Sequence, residues 1–332
     1  MPRLDPYLIL LLVAVVLGIW LPVHDQSAMV FDWIVYSAII LLFFLYGARL
    51  SPKAVRDGLL HWRLQSLVFL STYVAFPLVG AALIFASGSF IAPSLLKGVM
   101  FLCVLPSTVQ SSIAFTSIAR GNVAAALTSA SVSNLIGVAL TPLLVGLLVD
   151  AKGQGFSAHS LQNIALQILL PFCLGQLARP WLQAWLTRHA RLTSTVDRGS
   201  ILLVVYAAFS EGTVSGAWSR ISLGDLVGIT VLACVLLAVM MGLMQFAGRL
   251  LGFDRGDRIA ALFCGSKKSM ASGVPMAGIL FTGSDAPLVI LPLMVFHQVQ
   301  LFVCAFLAQS YAAEVESGGS KGERETGVDS LE

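Results

Sequence analysis

The sequence predicts an all-α polytopic membrane protein with ten transmembrane helices, arranged as two inverted five-helix repeats whose fourth and ninth helices are broken and cross each other. Three observations predict it. Aliphatic, aromatic and cysteine residues make up 57% of the 332 residues and charged residues 11%, with a mean hydropathy of +0.87, whereas soluble domains carry about 25% charged residues. The apolar residues fall into ten runs long enough to cross a bilayer, and the loops between them alternate in basic charge. A soluble enzyme, a nucleic-acid-binding domain or a mostly disordered chain would need more solvated charge than 20 Lys+Arg and 17 Asp+Glu supply.

A spanning helix needs about 20 mostly apolar residues, because 1.5 Å of rise per residue must cover roughly 30 Å of hydrocarbon. Runs that meet this lie at 6–22, 29–49, 64–86, 94–120, 123–149, 160–178, 200–217, 224–251, 257–283 and 287–312. The first follows one Arg with no small-residue cleavage site behind it, so it reads as a retained span and not a signal peptide. Two basic amphipathic stretches, 51–61 and 179–198, are expected along the membrane surface. The tail 313–332, acidic and rich in Gly and Ser, is expected to be disordered.

Basic charge sets the orientation, since the side with the Lys and Arg excess stays in the cytoplasm. The N-terminus and the loops after spans two, four, six and eight carry 13 Lys and Arg, against only Lys152 and Arg220 on the other side. Both termini are therefore expected in the cytoplasm, and the absence of a targeting peptide suggests a bacterial inner membrane. The five cysteines, Cys103, Cys173, Cys234, Cys264 and Cys304, all sit in apolar runs without metal-ligand spacing. They read as packed thiols, with no disulfide, no metal and no cofactor assigned.

The polar loop 150–159 divides the spans into a first set, 1–150, and a second, 160–312, of five each. Five is odd, so the second set starts on the opposite face and any repeat is inverted. The fourth span of each half holds the polar interruption. In the first, Pro106 stands mid-span, followed by Ser107, Thr108, Gln110, Ser111 and Ser112; in the second stand Gly265, Ser266, Lys267, Lys268 and Ser269, then Ser272, Gly273 and Pro275. Proline removes a backbone hydrogen bond and clashes with the preceding turn, and unwound backbone survives at membrane depth only where it is buried in protein or lines a cavity. Two breaks at matched places therefore point to a shared site near the midplane, with Pro106 and Gly273 marking the unwound points. An ordinary proline kink is the plainer explanation for either one alone.

At these segments the chain resembles the bile acid:sodium symporter family, and within it the member-7-like branch. The resemblance rests on LPSTVQSSIAFTSIARGNVAAALTSASVSNLIGVALTPLL (105–144), LPFCLGQLARP (170–180), DRGSILLVVYAAFSEG (197–212) and FCGSKKSMASGVPMA (263–277). It implies a panel domain of spans one, two, six and seven and a core domain of spans three to five and eight to ten. It also implies sodium ligands, which carry over only in part. Ser111 and Ser112 fall on the family's Ser-Asn pair, so sodium would sit near them. In the fifth span the ligand hydroxyls fall on Ala126 and Ala130, with Thr128, Ser131 and Asn134 nearby. The family's Glu and Gln fall on Phe263 and Lys267.

The function that follows is secondary active transport of a small organic anion by alternating access, with membrane lipid as the surroundings and no nucleic-acid partner. Coupling to sodium is expected to be replaced by Lys267, which restores a net charge of +1 where a family carboxylate with two sodium ions would sum to the same; coupling to protons is the variant of this. Partial positive charge at the half-helix after Pro106 favours a carboxylate or sulfonate near Ser111 and Ser112. His297, with Gln298 and Gln300 in span ten, is read as a packed histidine bonded to a neighbouring helix or as part of the site. Lys97 and Glu211 lie near outer span ends, where long side chains snorkel. The alternatives are an ordinary sodium symporter, a non-transporting regulator of the same fold, and an intramembrane enzyme. The last lacks GxSxG, HExxH and any acidic pair.

Overall fold

In the computed structural model the chain is helical, with no strand among the described residues, which are 6–49, 61–88, 90–149, 165–281 and 285–326. The helices are α1 (Pro6–Trp20), α2 (Asp25–Arg49), α3 (Trp62–Leu70), α4 (Phe76–Ser87), α5 (Pro93–Cys103), α6 (Gln110–Ile118), α7 (Val123–Leu148), α8 (Leu170–Arg188), α9 (Ala190–Val214), α10 (Leu223–Leu250), α11 (Arg255–Gly265), α12 (Met270–Leu280) and α13 (Asp285–Thr326). A π-helical turn, Ser71–Ala75, joins α3 to α4, and another, Ala165–Leu169, leads into α8.

Among the described residues six stretches are long and apolar enough to cross a membrane: Ser27–Arg49, Trp62–Ser87, Val123–Leu148, Ala190–Val214, Leu223–Leu250 and Asp285–Glu314. Large apolar side chains such as Leu12, Val16, Leu78, Phe85, Leu147, Phe246 and Phe306 point outward, as lipid-facing positions do. The remaining apolar runs are shorter helices or pairs of half-helices. Local signals set several starts. Asn122 caps α7 by accepting from the Ala125 N–H at 3.0 Å, Asp254 caps α11 from Asp257 at 2.7 Å, and Ser222 with Asp225 forms a capping box on α10.

The helices pack in two groups. In one, α1 lies on α9 and α2 on α8 and α9. The α2–α8 crossing is close because Gly47 and Gly175 face each other's backbones: a Cβ on Gly47 would come within 2.0 Å of the Phe172 carbonyl oxygen. Without side chains there, main chains touch and dispersion holds the pair. Beyond the crossing, Arg49 pairs with Asp197 of α9. The other group comprises α3 to α7 and α10 to α13, and it meets the first mainly where α9 lies on α12 and α13.

Several expectations need correction. The stretch 179–198 is not a separate surface segment: α8 runs through Pro180 to Arg188 and α9 begins at Ala190, with only His189 between. Pro180 lies inside α8, which continues on both sides of it. Helix α13 runs on past 312 to Thr326, and the run AAEVES carries it as far as 317 with good helix formers. Residues 51–60 of the other surface stretch, the loop 150–159 and the end 327–332 lie outside the described residues.

Candidate functional site

Helix α5 stops at Cys103 and α6 begins at Gln110; α11 stops at Gly265 and α12 begins at Met270. The two gaps meet. The Ser269 N–H donates to the Pro106 carbonyl at 2.9 Å, the Ser107 hydroxyl to the Cys264 carbonyl at 2.6 Å, and the Ser112 hydroxyl to the Phe263 carbonyl at 2.9 Å. Each gap thus satisfies groups that the other leaves open where its helix ends.

Helix α7 closes one side of the junction. The Ser107 N–H donates to Ser133 Oγ (3.0 Å), Asn134 Nδ2 to the Ser107 carbonyl (2.6 Å), and Thr141 Oγ1 to the Val104 carbonyl (2.8 Å). Asn134 also accepts from the Ser272 hydroxyl at 2.9 Å, and Ser269 caps α12 by accepting from the Ser272 N–H at 3.2 Å. Helix α6 differs: its N-cap is Val109, which supplies no side-chain acceptor.

The two lysines part company in the second gap, beyond the helix end and not on the half-helix before it, and both are fully enclosed at 0% exposure. Lys267 Nζ lies 3.2 Å from Ser111 Oγ and over the rings of Phe115 and Phe263, 4.6 and 5.5 Å from their centroids. Among the described residues no carboxylate pairs with it. Lys268 Nζ turns the other way, donating to the carbonyls of Thr72, Cys103 and Leu105 at 2.8, 2.7 and 2.8 Å. Gln300 of α13 holds the Lys268 main chain from both sides, accepting from its N–H and donating to its carbonyl, each at 3.0 Å. His297 stands behind, with Nδ1 2.9 Å from Gln300 Nε2. It supports the site through Gln300.

Other sequence-derived candidates divide similarly. Pro106, Ser107, Thr108 and Ser112 are buried at the junction, and Ser111 bonds Thr108 at 3.3 Å as well as Lys267. Gln110 is exposed and Ser131 half-buried. Thr128 is turned away, bonded to the Ala124 and Ala125 carbonyls of its own helix and approached by Gln65 Nε2 at 3.4 Å. Ser266 folds back on the Leu262 carbonyl at 2.6 Å, and the Gly265 carbonyl accepts from Ser71 Oγ at 2.6 Å. Gly273 is not unwound, being inside α12 and pressed on Leu105. The geometry adds Ser71, Ser133, Thr141 and Tyr73, whose hydroxyl donates to the Ser133 carbonyl at 2.6 Å. Ser133 and Thr141 share a face of α7 with Gly137 at steps of four, a spacing that could have shown them facing a polar partner.

Half-helices tied end to end inside a helical membrane bundle define a membrane transport protein of the broken-helix kind. Comparison gives the family: residues 5–313 match the model of the SBF-like CPA transporter family, and the chain belongs to it. It is similar to an uncharacterised protein of Pseudomonas aeruginosa (52% identical, covering 93% of each chain) and to the symporter-named YfeH of Escherichia coli (47% identical, 94% of each). More distantly it is similar to sodium/bile acid cotransporter 7 of Mus musculus, 27% identical over 82% of this chain and 81% of that one. The protein is thus an integral membrane transporter of the bile acid:sodium symporter type and not an enzyme.

Proposed function

We propose that the protein moves a small organic anion across the bacterial inner membrane by alternating access, that Lys267 supplies the positive charge at the crossed breaks, and that sodium is not required there. The observation that carries this is the Lys267 ammonium enclosed against Ser111, at the place where the family resemblance implies a sodium ion. The remaining hydroxyl of that pair, on Ser112, is already given to the Phe263 carbonyl. A second cation beside Lys267 would meet repulsion and few free oxygens. An anion meets the ammonium and the uncapped N–H groups at the start of α6, while the faces of Phe115 and Phe263 steady the ammonium itself. Movement of a proton through Lys267 is the coupling available in place of sodium.

The helix contacts support the ten-span inverted arrangement. Exchanging the halves turns the α1–α9 pair into α8–α2, α4–α5 into α10–α11, α5–α13 into α11–α7, and α6–α7 into α12–α13, and all eight pairs are packed. The group α1, α2, α8 and α9 then serves as the panel and the rest as the core. The charge distribution supports cytoplasmic termini. Cysteines placed at Ser89 and Ser284 are expected to react with impermeant reagents from outside and one at Lys53 not to; labelling at 53 in intact cells overturns the orientation.

Reconstitution into liposomes with a panel of labelled carboxylates and sulfonates tests the transport reading. Uptake should persist when sodium is replaced by choline, vanish in Lys267→Met and survive in altered form in Lys267→Arg. Strict sodium dependence together with an active Lys267→Met protein restores an ordinary sodium symporter.

A further inference from the structure

Three backbone carbonyls converge beside the first gap for reasons that the sequence makes clear. Helix α5 ends at Cys103, so its last carbonyls have no N–H in the next turn. Thr141 takes the one from Val104, leaving those of Cys103 and Leu105. The third comes from the π turn. There the Phe76 N–H donates to the Ser71 carbonyl five residues back, and the next donor in that register would belong to residue 77, which is proline. Pro77 has no N–H, so the Thr72 carbonyl points out of its helix without a partner from it.

Lys268 Nζ sits among all three oxygens at 2.7–2.8 Å and over the Phe76 ring at 4.1 Å from its centroid, out of reach of solvent. An ammonium has three N–H donors, and here each has one carbonyl. Its main chain is fixed by Gln300, so the side chain is anchored at both ends. A cluster of inward-pointing carbonyls with an aromatic face is the ligand set that replaces the hydration shell of a small monovalent cation.

We propose that Lys268 is a tethered cation, its ammonium occupying a monovalent-cation site made by the carbonyls of Thr72, Cys103 and Leu105. The two neighbouring lysines then have separate tasks, Lys268 holding the first gap together and Lys267 facing the site. The first gap stays assembled at any external sodium concentration. Removing the side chain back to Cβ opens a site that a free small cation can fill. This inference stands apart from the transport reading, because melting and not transport reports it.

The test uses the purified full chain in detergent, melted in ammonium, potassium, sodium or choline chloride at one ionic strength. The parent protein should melt at the same temperature in all four. Lys268→Ala in choline should melt roughly 10 °C lower, and ammonium should recover at least half of that loss in a saturable manner. Lys268→Met, which fills the space with an apolar chain, should stay low in every salt. An Ala variant that melts like the parent in choline, or equally low in ammonium and choline, overturns the proposal. Should the Ala variant unfold on extraction, its monodisperse yield is compared with ammonium or choline present from cell lysis onward. A higher yield in ammonium supports the tethered cation, and equal loss in both overturns it.

Discussion

The two broken helices solve one problem with different chemistry. Helix α5 leaves its terminal carbonyls at Cys103, Val104 and Leu105, and two of the three are taken by one ammonium. Helix α11 leaves Phe263, Cys264 and Gly265, and each is taken by a separate serine hydroxyl, from Ser112, Ser107 and Ser71. Three neutral bonds from three elements degrade gradually when one is lost. A charge among carbonyls fails at once, since removing it leaves several buried acceptors unpaired. The difference teaches which side of the junction is fixed. The end held by Lys268 is expected to be the more rigid, and the end held by serines, next to Lys267 and the uncapped α6, the one that yields first.

The largest expected effect comes from a wedge between the two. Gly273 of α12 faces Leu105 of the first gap, and a Cβ there would come within 2.4 Å of Leu105 Cδ1 and 2.7 Å of Leu293 Cδ2. Gly273→Leu should cost about 3 kcal/mol or prevent folding, read as lost monodisperse protein. A stable Gly273→Leu protein would mean that the gaps are not pressed together.

The serine end should respond less. Ser107→Ala and Ser112→Ala should each cost about 1 kcal/mol and the double variant about 2, measured by melting. If either single variant costs as much as Lys268→Met, the contrast between a graded end and a single-point end fails.

Much of this junction was legible in the sequence and some was not. Pro106 and the run GSKKS marked both gaps because breakers and polar residues are conspicuous in apolar spans. Their meeting was legible too, since freed backbone groups in a membrane need partners. The position of Lys267 did not follow from helical register, because the helix already ends at Gly265 and the lysine reaches Ser111 from the gap. The partners of Lys268 were not legible either, because they are carbonyls, which every residue carries, and the π turn that aims one of them has no residue signature beyond Pro77. Thr128 misled because a threonine in a helix satisfies itself on the preceding turn. The end of α13 misled because composition was weighed over the whole tail while the first residues after 312 favour helix.

Helix starts sharpen the comparison further. Ser269→Ala removes the α12 cap and should cost about 1 kcal/mol. Val109→Ser offers α6 a cap it lacks, and should raise stability by roughly 0.5 kcal/mol while weakening anion uptake, because its hydroxyl would take an N–H proposed for the anion. Unchanged uptake in a more stable Val109→Ser protein would remove the α6 N-terminus from the site.

The smallest effect concerns a place where the second broken helix is served from outside its own group. Pro275 lies inside α12 and cannot donate to the Ala271 carbonyl four residues back. Tyr46 of α2 reaches across and donates its hydroxyl to that carbonyl at 3.2 Å. Every tie at the two gaps described above runs within the group α3–α7 and α10–α13, so this bond is different in kind: it links two bodies that alternating access would move past each other. A bond made in one arrangement and broken in another cannot be strong, and the long distance suits that. Tyr46→Phe should therefore cost only about 0.5 kcal/mol in melting, yet shift the balance between inward-open and outward-open forms, read as a change in the reactivity of a cysteine placed at Gln110. A loss as large as that of Ser107→Ala, with no change in that reactivity, would make Tyr46 part of the static core and return the α2–α12 contact to ordinary packing.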